Sequence, residues 1–298
     1  MITNSITFTN LGGEGDSVTF APNRHFKLIN GFDLSGLSAT VNQSQSTKNG
    51  STYQSTKLDN REFEIEFFIH RDYQNINWVE DARHELFKVF NPLKNPIRID
   101  FETKGGKGYY VTAELVTVPV LPQGFDNENL AWQKGLLQFN ASDPFVYEDE
   151  ETKTDIALWV KTFTFPVVFD EPKAFGYRSQ SLIVNVMNSG SDDTGMIIRF
   201  KASSELDNPS LLNVNTYEEL KLNFTMLPGD EIEVSTFSGK RYARLTRNNV
   251  TTNIFGTIDL SSTFLQLRVG DNLFRYNATD GLDYLQCEII HRNTLIGV

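Results

Sequence analysis

The sequence predicts a mostly β protein built from two domains of β-sandwich or barrel-like type. Aromatic residues make up 12% of the 298 residues, with 23 Phe, and β-branched residues are frequent, which favours sheets over helices. Short segments of alternating apolar and polar residues recur along the chain, separated by glycine-bearing turns. The length allows two ordinary domains, each with its own core.

The clearest strand is the segment REFEIEFFIH, residues 61–70. Phe63, Ile65, Phe67 and Ile69 alternate with three glutamates, Glu62, Glu64 and Glu66. Because successive side chains of a strand point to opposite faces, this pattern predicts a half-buried strand with one acidic outer face.

One segment has convincing helical spacing, NWVEDARHELFKVF. Val79, Ala82, Leu86 and Phe90 recur at helical intervals, and we expect Trp78 and Phe87 to widen that apolar stripe. Asn77 is expected to cap the helix, with Glu80 completing a capping box. Asn91-Pro92 is expected to end it.

Further strands are predicted on either side of a glycine turn and before the middle of the chain. IRIDFETKGGKGYYVTAELV is typical of a hairpin that turns at Gly105, Gly106 and Gly108. LAWQKGLLQFNAS is a strand candidate. By contrast, LSATVNQSQSTKNGSTYQSTKLDNR is polar throughout, so we expect a long hairpin arm or loop that projects from its domain.

The second half contains many strand candidates and no strong helix. Turn sequences such as LPGDE, FSGKR and VGDN separate the candidates, which predicts a sandwich of jelly-roll or lectin type. The candidates are SLIVNVMN, MIIRFKA, EELKLNFTM, DEIEVSTF, RYARLTR, FLQLRVG, NLFRYNA and YLQCEIIH.

The two predicted domains, 1–147 and 148–298, meet at the segment QFNASDPFVYEDEET. We expect Gln138–Ser142 to be the last strand of the first domain and Asp143, Pro144 and Phe145 to form the interdomain hinge, since proline fixes φ and removes a ladder donor. Phe145 and Tyr147 are expected to pack against the core. The acids Glu148–Glu151 are expected to remain in water.

Charge and targeting signals exclude several classes of protein. The net charge is −11, divided as −7 in residues 1–150 and −4 in the remainder, so neither half is basic and nucleic-acid binding is not expected. Cys287 is the single cysteine and is expected to be a buried, inert thiol. We see no signal peptide or membrane span, and expect a soluble protein made in a cytoplasm.

Candidate catalytic and metal motifs are incomplete. His70-Arg71-Asp72 with Asn77 matches a kinase catalytic-loop pattern, but the glycine-rich loop, strand lysine and D-F-G ligand are missing. Glu62, Glu64 and Glu66 have roughly the carboxylate spacing of inverting glycosidases, yet a solvated strand face has the same pattern.

The remaining candidates concern metals. Glu148–Glu151 lacks the interleaved ligands and glycine turn of calcium loops. The four histidines, His25, His70, His84 and His291, show no zinc spacing. We therefore expect no catalytic residues, no metal and no cofactor.

The order of these landmarks resembles the distal tail protein (Dit) family of long-tailed phages that infect Gram-positive bacteria. In the first half the resemblance depends on the alternating strand, WVEDARHELFKVFNP, IRIDF…YYVTAEL and FNASDPFVYE. In the second half it depends on LIVNVMNSGSDDTGMIIRF, EELKLNFTMLPGDEIEVSTFSGKRYARL, FLQLRVGDNLFRYNA and NTLIGV. It spans nearly the whole chain.

The resemblance implies a structural hub of the virion tail tip without enzymatic activity. Six copies would form a ring through the N-terminal domain, and a galectin-like C-terminal domain would lie outside it. The projecting arm would contact the neighbouring subunit, for which we expect Gln43, Ser46, Asn49, Tyr53 and Lys57 to supply contacts. Implied partners are the tail tube protein, the tape-measure protein, a tail-associated lysin or spike, and a receptor-binding protein.

Two other functions stay open from the sequence. A carbohydrate-binding module that recognises the host cell surface would need exposed aromatic platforms, for which Trp159, Tyr177 and Tyr217 are candidates. A wall-degrading hydrolase would use Glu62, Glu64 or Glu66, and it has the weaker support.

Overall fold

The computed structural model describes residues 2–45, 49–70, 77–156, 159–161, 176–178 and 183–298. The contacts divide the chain into two compact units. Unit 1 comprises Met1–Glu150 with Leu295–Val298, and unit 2 comprises Glu151–Thr294. The predicted boundary after residue 147 stays a prediction.

Unit 1 is a β structure that carries the one α-helix of the described residues, α1 (Trp78–Val89). A short 3-10 turn follows at Pro92–Lys94. Its strands are β1 (Ile2–Asn10), β2 (Ser17–Phe20), β3 (Phe26–Leu28), β4 (Ala39–Gln45), β5 (Ser51–Leu58), β6 (Arg61–His70), β7 (Ile97–Thr103), β8 (Gly108–Leu115), β9 (Trp132–Ala141) and β10 (Val146–Glu148).

The main sheet of unit 1 is antiparallel and barrel-like. Its strand order is β2-β1-β7-β8-β9-β6-β3, and β10 adds to β8. The two edge strands approach each other where the Ala21 amide donates to the Phe26 carbonyl at 2.9 Å. The sheet is therefore nearly closed, which leaves few unpaired strand edges.

Phenylalanine dominates the core of unit 1. Phe8 contacts Phe20 and Phe90 edge-on, with ring centroids 4.9 and 5.1 Å apart. Phe67 lies opposite Gly135, where a β-carbon would stand only 2.2 Å from the Phe67 ring. Glycine is required at that position because the close-packed ring leaves no volume for another side chain.

The predicted alternation of β6 and the position of α1 are confirmed. Ile65, Phe67 and Ile69 are buried while the three glutamates are exposed. Two details of the helix were wrong. Asn77 precedes the helix, but its side chain makes no capping hydrogen bond. Phe87 does not widen the apolar stripe, because it is 43% exposed, whereas Val89 is buried. The buried residues of the helix are Ala82, Leu86 and Val89, so these positions form its inward face.

The described residues of unit 2 form short strands and two 3-10 turns, Phe255–Thr257 and Leu282–Tyr284. The last strand crosses the boundary between the units. The strands are β11 (Thr152–Asp155), β12 (Trp159–Lys161), β13 (Gly176–Arg178), β14 (Ile183–Asn188), β15 (Ile197–Ala202), β16 (Leu206–Asp207), β17 (Ser210–Asn213), β18 (Glu219–Lys221), β19 (Thr225–Met226), β20 (Glu231–Ser235), β21 (Tyr242–Arg247), β22 (Val250–Asn253), β23 (Gly270–Asn277), β24 (Leu285–His291) and β25 (Thr294–Leu295).

Two antiparallel sheets enclose the core of unit 2. One has the order β11-β24-β15-β20-β21-β22 and the other β14-β23-β17-β18. Their inner residues, among them Phe200, Val234, Phe274, Tyr276 and Ile289, form a single buried cluster. Unit 2 is therefore a β-sandwich, as predicted.

One predicted strand of unit 2 was wrong. The segment FLQLRVG forms no strand before Gly270, although Leu265 and Leu267 are buried. Thr194 and Leu267 make only an isolated bridge. The alternating apolar side chains of this segment are buried, but its backbone makes too few hydrogen bonds to a neighbouring strand to form a β-ladder. Among the described residues, no helix has the length and apolar character needed to cross a membrane.

Candidate interaction surfaces

The polar segment after residue 38 forms a separate hairpin, which we call the arm (residues 39–58). β4 and β5 pair only with each other, with a bulge between Asn42 and Gln43. Nearly every side chain along both strands is exposed. At the base the Asp59 amide donates to the Ser38 carbonyl at 3.1 Å, so the hairpin begins where the body of the unit ends. The projecting arm is as predicted.

The two faces of the arm differ in chemistry. Val41, Gln43 and Tyr53 lie on one face, and Val41 and Tyr53 are 49% and 62% exposed. The opposite face carries Thr40 and Lys57 as a cross-strand pair. Exposed apolar and aromatic side chains on a two-stranded hairpin are typical of a surface that another molecule covers.

The predicted interface residues fall at different places on this arm. Gln43 and Tyr53 are directly opposite each other, and Asn49 lies exposed in the turn. Lys57 is exposed near the base, on the other face. Ser46 lies outside the described residues. Their role in an interface stays a prediction.

A buried arginine holds the base of the arm, and sequence reasoning missed it. Arg61 is 3% exposed and donates to three main-chain carbonyls, those of Leu34, Pro144 (2.8 Å) and Ile296 (2.5 Å). Burial lowers the pKa of its guanidinium, though it remains a cation. The signal was present in the sequence, because Arg61 shares the inward register of Phe63, Ile65, Phe67 and Ile69.

An open concavity of about 540 Å³ lies beside Arg61 at the base of the arm. Its lining is mostly polar and includes Ser35, Ser38, Lys57 and Glu62. An open polar concavity of this kind does not enclose a small ligand, since ligand pockets are mainly apolar and bury most of the ligand.

The predicted hinge residues are tied into unit 1. The Asp143 carboxylate accepts from the Phe145 amide at 3.3 Å and from the Tyr147 hydroxyl at 2.8 Å. Burial, and then the Asp143 charge, raise the pKa of Tyr147. Val146 is the fully buried residue here, whereas Phe145 and Tyr147, expected against the core, are only partly buried. The role of Asp143, Pro144 and Phe145 as a hinge stays a prediction.

The acidic run after this turn lies at the surface, with Asp149, Glu150 and Glu151 exposed as expected, and two of its members form ion pairs. Asp149 accepts from Arg98 at 2.5 Å, and Glu151 accepts from Arg292 at 2.9 Å. Asp149 therefore forms its ion pair within unit 1, and Glu151 forms its ion pair within unit 2. No group of three or more potential metal ligands occurs in the parts of the chain that the structure describes.

The other candidate motifs do not assemble a catalytic site from the residues that can be placed. His70 ends β6, and its pKa is lowered by burial and by Lys27, while Arg71 and Asp72 lie outside the described residues. Glu64 and Glu66 accept hydrogen bonds from the neutral amides of Gln138 and Asn30, at 2.6 and 2.8 Å. Both carboxylates are exposed, whereas a general acid of a glycosidase lies in an enclosed, apolar environment.

The outer face of the larger sheet in unit 2 carries a closed charge network. Arg199 contacts Glu231 and Glu233 at 3.0 Å and Glu288 at 2.9 Å. Burial raises the pKa of Glu233, but hydrogen bonds from Tyr242 and Arg199 outweigh it, and the net pKa is lowered. Burial together with Glu233 raises the pKa of Tyr242 to about 12. The ion pairs and the Tyr242 hydrogen bond of this network stabilise one another.

Of the three candidate aromatic platforms for sugar, Tyr217 is the one whose side chain the structure describes. Tyr217 is 82% exposed, in a turn with positive φ (59°) between β17 and β18. The side chains of Trp159 and Tyr177 lie outside the described residues. Cys287 is buried, as expected, and burial raises the pKa of its thiol.

The barrel-like unit and the sandwich that follows it both match domain families of phage tail components. Residues 17–141 match the family model of the phage tail protein RIFT-related domain. Residues 189–293 match that of the siphovirus-type tail component, C-terminal domain. No curated protein matches the chain significantly.

Solved structures share the whole fold. The crystal structure of the Dit protein of phage SPP1, described as a paradigm of the hub adsorption apparatus in phages infecting Gram-positive bacteria, aligns with a TM-score of 0.65. Identity is 16%, and the alignment covers 97% of this chain and 98% of that one. A chain of the phage P2 baseplate, activated with Ca, aligns at 0.56 with 12% identity and 98% coverage of both. The same baseplate with Sr gives 0.56, 12% identity and 97% coverage of both.

The chain belongs to the siphophage distal tail protein family. The family consists of structural components of the virion tail tip, and its solved relatives lie in hubs and baseplates.

Proposed function

We propose that this protein forms a hexameric ring that joins the tail tube to the adsorption apparatus or tail fibre. The main support for this proposal is the exposed arm. A two-stranded hairpin is at best marginally stable by itself in water. An exposed hairpin with Val41 and Tyr53 on one face therefore gains its stability when another molecule covers it.

The contact that the arm makes is heterologous, because the arm and the surface that receives it are different parts of the same chain. Head-to-tail contacts of this type generate rings when the rotation closes. Strands of about eight residues reach roughly 25 Å, enough to cross onto an adjacent copy. Six copies would close the ring.

The partners of the ring are proposed to be the tail tube protein and the tape-measure protein on one side. A tail-associated lysin or spike and receptor-binding proteins would bind on the other. Family membership and the hub and baseplate relatives support this assignment. The role is structural, and no enzymatic activity is proposed.

Native mass spectrometry and negative-stain microscopy of the purified full chain test the ring. The expected species is a hexamer, or two hexamers back to back, seen as a ring of six lobes. A chain that stays monomeric at micromolar concentration, and that is missing from the tail tips of assembled virions, would contradict the proposal.

A second function, recognition of carbohydrate on the host cell surface by unit 2, is favoured by one observation. Tyr217 presents its ring to solvent from a left-handed turn, a conformation that is unusual for a bulky residue. Binding of the full chain to host cell walls that is lost in Tyr217→Ala, but not in the distant exposed control Tyr284→Ala, would support it. Equal binding of both variants would retire it.

A further inference from the structure

A turn of unit 2 places two cations next to each other at the surface. Lys240 and Arg241 end the turn between β20 and β21, and both side chains are exposed. The Lys240 amide donates to the Phe237 carbonyl at 3.1 Å, and the Ser235 hydroxyl donates to the Lys240 carbonyl at 2.8 Å. Gly239 supplies a φ of 74°, which a residue with a side chain rarely adopts. Hydrogen bonds therefore hold the backbone that carries the two cations.

The Arg241 side chain lies over a pair of stacked aromatic rings. Its guanidinium carbon is 4.5 Å from the centroid of the Phe264 ring. Phe264 also stacks with Phe255, with ring centroids 6.0 Å apart and an interplanar angle of 18°. An arginine attracted to the face of an aromatic ring keeps its N–H donors available at the edge of the guanidinium. The ring thus restricts the guanidinium before a ligand binds, which lowers the entropic cost of binding.

The two cations have no acidic partner in the part of the chain that the structure describes. Neither Lys240 nor Arg241 forms an ion pair there, and the Arg241 guanidinium has no hydrogen-bond acceptor. Other arginines of unit 2 differ, since Arg247 pairs with Asp230 at 2.5 Å and Arg199 contacts three glutamates. In a chain whose net charge is −11, two adjacent unpaired cations indicate a place where an anion can bind.

A second stacked arginine lies three residues further along β21, in different surroundings. The Arg244 guanidinium carbon is 4.2 Å from the centroid of the Tyr242 ring. Glu233 is the cross-strand neighbour of Arg244 on β20. The Glu233 carboxylate would repel an anion that approached Arg244. Arg241 is therefore the better anion site of the two.

We propose that Arg241 and Lys240 bind a phosphate ester. The planar fork of a guanidinium matches two oxygens of a phosphate, and the lysine ammonium adds a second positive charge. Two positive charges fit a phosphate monoester, which carries about −1.5 to −2 at pH 7, better than a singly charged carboxylate. The inference concerns unit 2 alone. It goes beyond the proposed ring and the proposed sugar platform at Tyr217, and it depends on neither.

Phosphorus NMR of glycerol phosphate mixed with the full chain tests the site, because the signal of a small ligand broadens when it binds a large protein. We expect broadening with the wild-type chain. Arg241→Lys keeps the charge but removes the planar fork, and is expected to weaken binding by about tenfold. Arg275→Lys is the matched control and is expected to bind as wild type. Arg275 is an exposed arginine of unit 2 with neither a ring nor a carboxylate partner among the described residues.

The outcomes decide both the site and the class of ligand. Broadening that Arg241→Lys reduces and Arg275→Lys leaves unchanged supports the inference. The absence of broadening with the wild-type chain, or equal broadening with all three chains, overturns it. Acetate is the competitor that tests the ligand class. If acetate displaces glycerol phosphate at an equal concentration, the assignment to phosphate is overturned.

Replacing the ring beneath Arg241 tests the part played by the stack. Phe264→Leu keeps an apolar side chain against the core of unit 2 but removes the aromatic face. We expect it to weaken binding by about threefold, the effect of one exposed cation–π contact. A folded Phe264→Leu chain that binds as wild type would show that the ring does not orient Arg241. If this variant does not fold, Arg241→Lys still decides the matter, because the exposed arginine is outside the core.

Discussion

Arg61 shows how one side chain can hold separate segments together. Its guanidinium donates to Leu34, Pro144 and Ile296, three carbonyls distant in sequence. A guanidinium suits this task because its five donors are fixed in a planar fork. The residue thereby secures the loop before the arm, the turn at Asp143-Pro144 and the end of the chain.

Replacing this arginine should destabilise unit 1 severely. Arg61→Met keeps most of the volume but leaves one buried and two partly buried carbonyls without their donor, at about 1–3 kcal/mol for a buried group left unsatisfied. We expect a loss near 3 kcal/mol, or roughly 6–12 °C in the melting temperature of unit 1. Differential scanning calorimetry measures it. The exposed Arg24→Met is the control, and equal melting of the two variants would contradict the assignment.

The contacts of Asp230 lead us to predict how the stability of unit 2 depends on pH. Its carboxylate accepts two hydrogen bonds from Arg247, at 2.7 and 2.5 Å, and one from the Leu227 amide at 2.8 Å. These bonds, chiefly those from Arg247, lower its pKa below the ordinary 3.8. The stabilisation is thus fully present above pH 3.8 and is lost as the pH falls through the lower, folded-state pKa.

The corresponding measurement is thermal unfolding between pH 2.5 and 7. The wild-type melting temperature of unit 2 should fall steeply below about pH 4. Asp230→Asn should be less stable at pH 7 and should lose less on acidification. The exposed Asp283→Asn serves as the control. Parallel pH curves for wild type and Asp230→Asn would refute this account.

At the scale of elements, the arm adds no described side chain to the core of unit 1. Ala39 and Leu58 are cross-strand neighbours at its base, so an Asn-Gly turn can join them directly and replace residues 40–57. We expect this variant to melt within about 2 °C of wild type, because nearly all removed side chains are exposed.

Assembly of the shortened chain should nevertheless fail. Light scattering after size-exclusion chromatography would show a monomer in place of the ring. Shortening the β7–β8 turn at Lys104–Lys107 provides a control of similar kind that should still assemble. A ring that forms normally without residues 40–57 would show that the arm has no part in closure.

Several elements could be predicted from sequence because their signals are local. The alternation in β6, the helical stripe of α1 and the glycine turns at Gly229, Gly239 and Gly270, all with positive φ, depend on neighbouring residues alone. The failure had a non-local origin. FLQLRVG alternates like a strand, but whether a partner strand is available depends on residues far along the chain.

At the scale of the whole molecule, the chain returns to unit 1 at its end. Leu295 packs against the core of unit 1, and the Ile296 carbonyl accepts from Arg61. Deleting residues 295–298 should lower the melting temperature of unit 1 by several degrees, since both contacts are lost. Deleting only the exposed Gly297 and Val298 is the matched control.

The same deletion should be non-additive with Arg61→Met. Because the two changes remove partners of one network, their combined loss should be smaller than the sum of the separate losses. Calorimetry of the four chains measures the coupling. Strict additivity would mean that the C-terminal residues stabilise unit 1 independently of Arg61.

The sequence by itself determined the mostly β class, the inward face of β6, the single described helix and the polar arm, because periodicity and turn chemistry are read from residues close together in the chain. Only the tertiary structure decided that Arg61 is buried and donates to three carbonyls, and that Asp149 and Glu151 form ion pairs in different units. Those facts depend on which strands become neighbours, and strand pairing is set by the whole fold rather than by any local pattern.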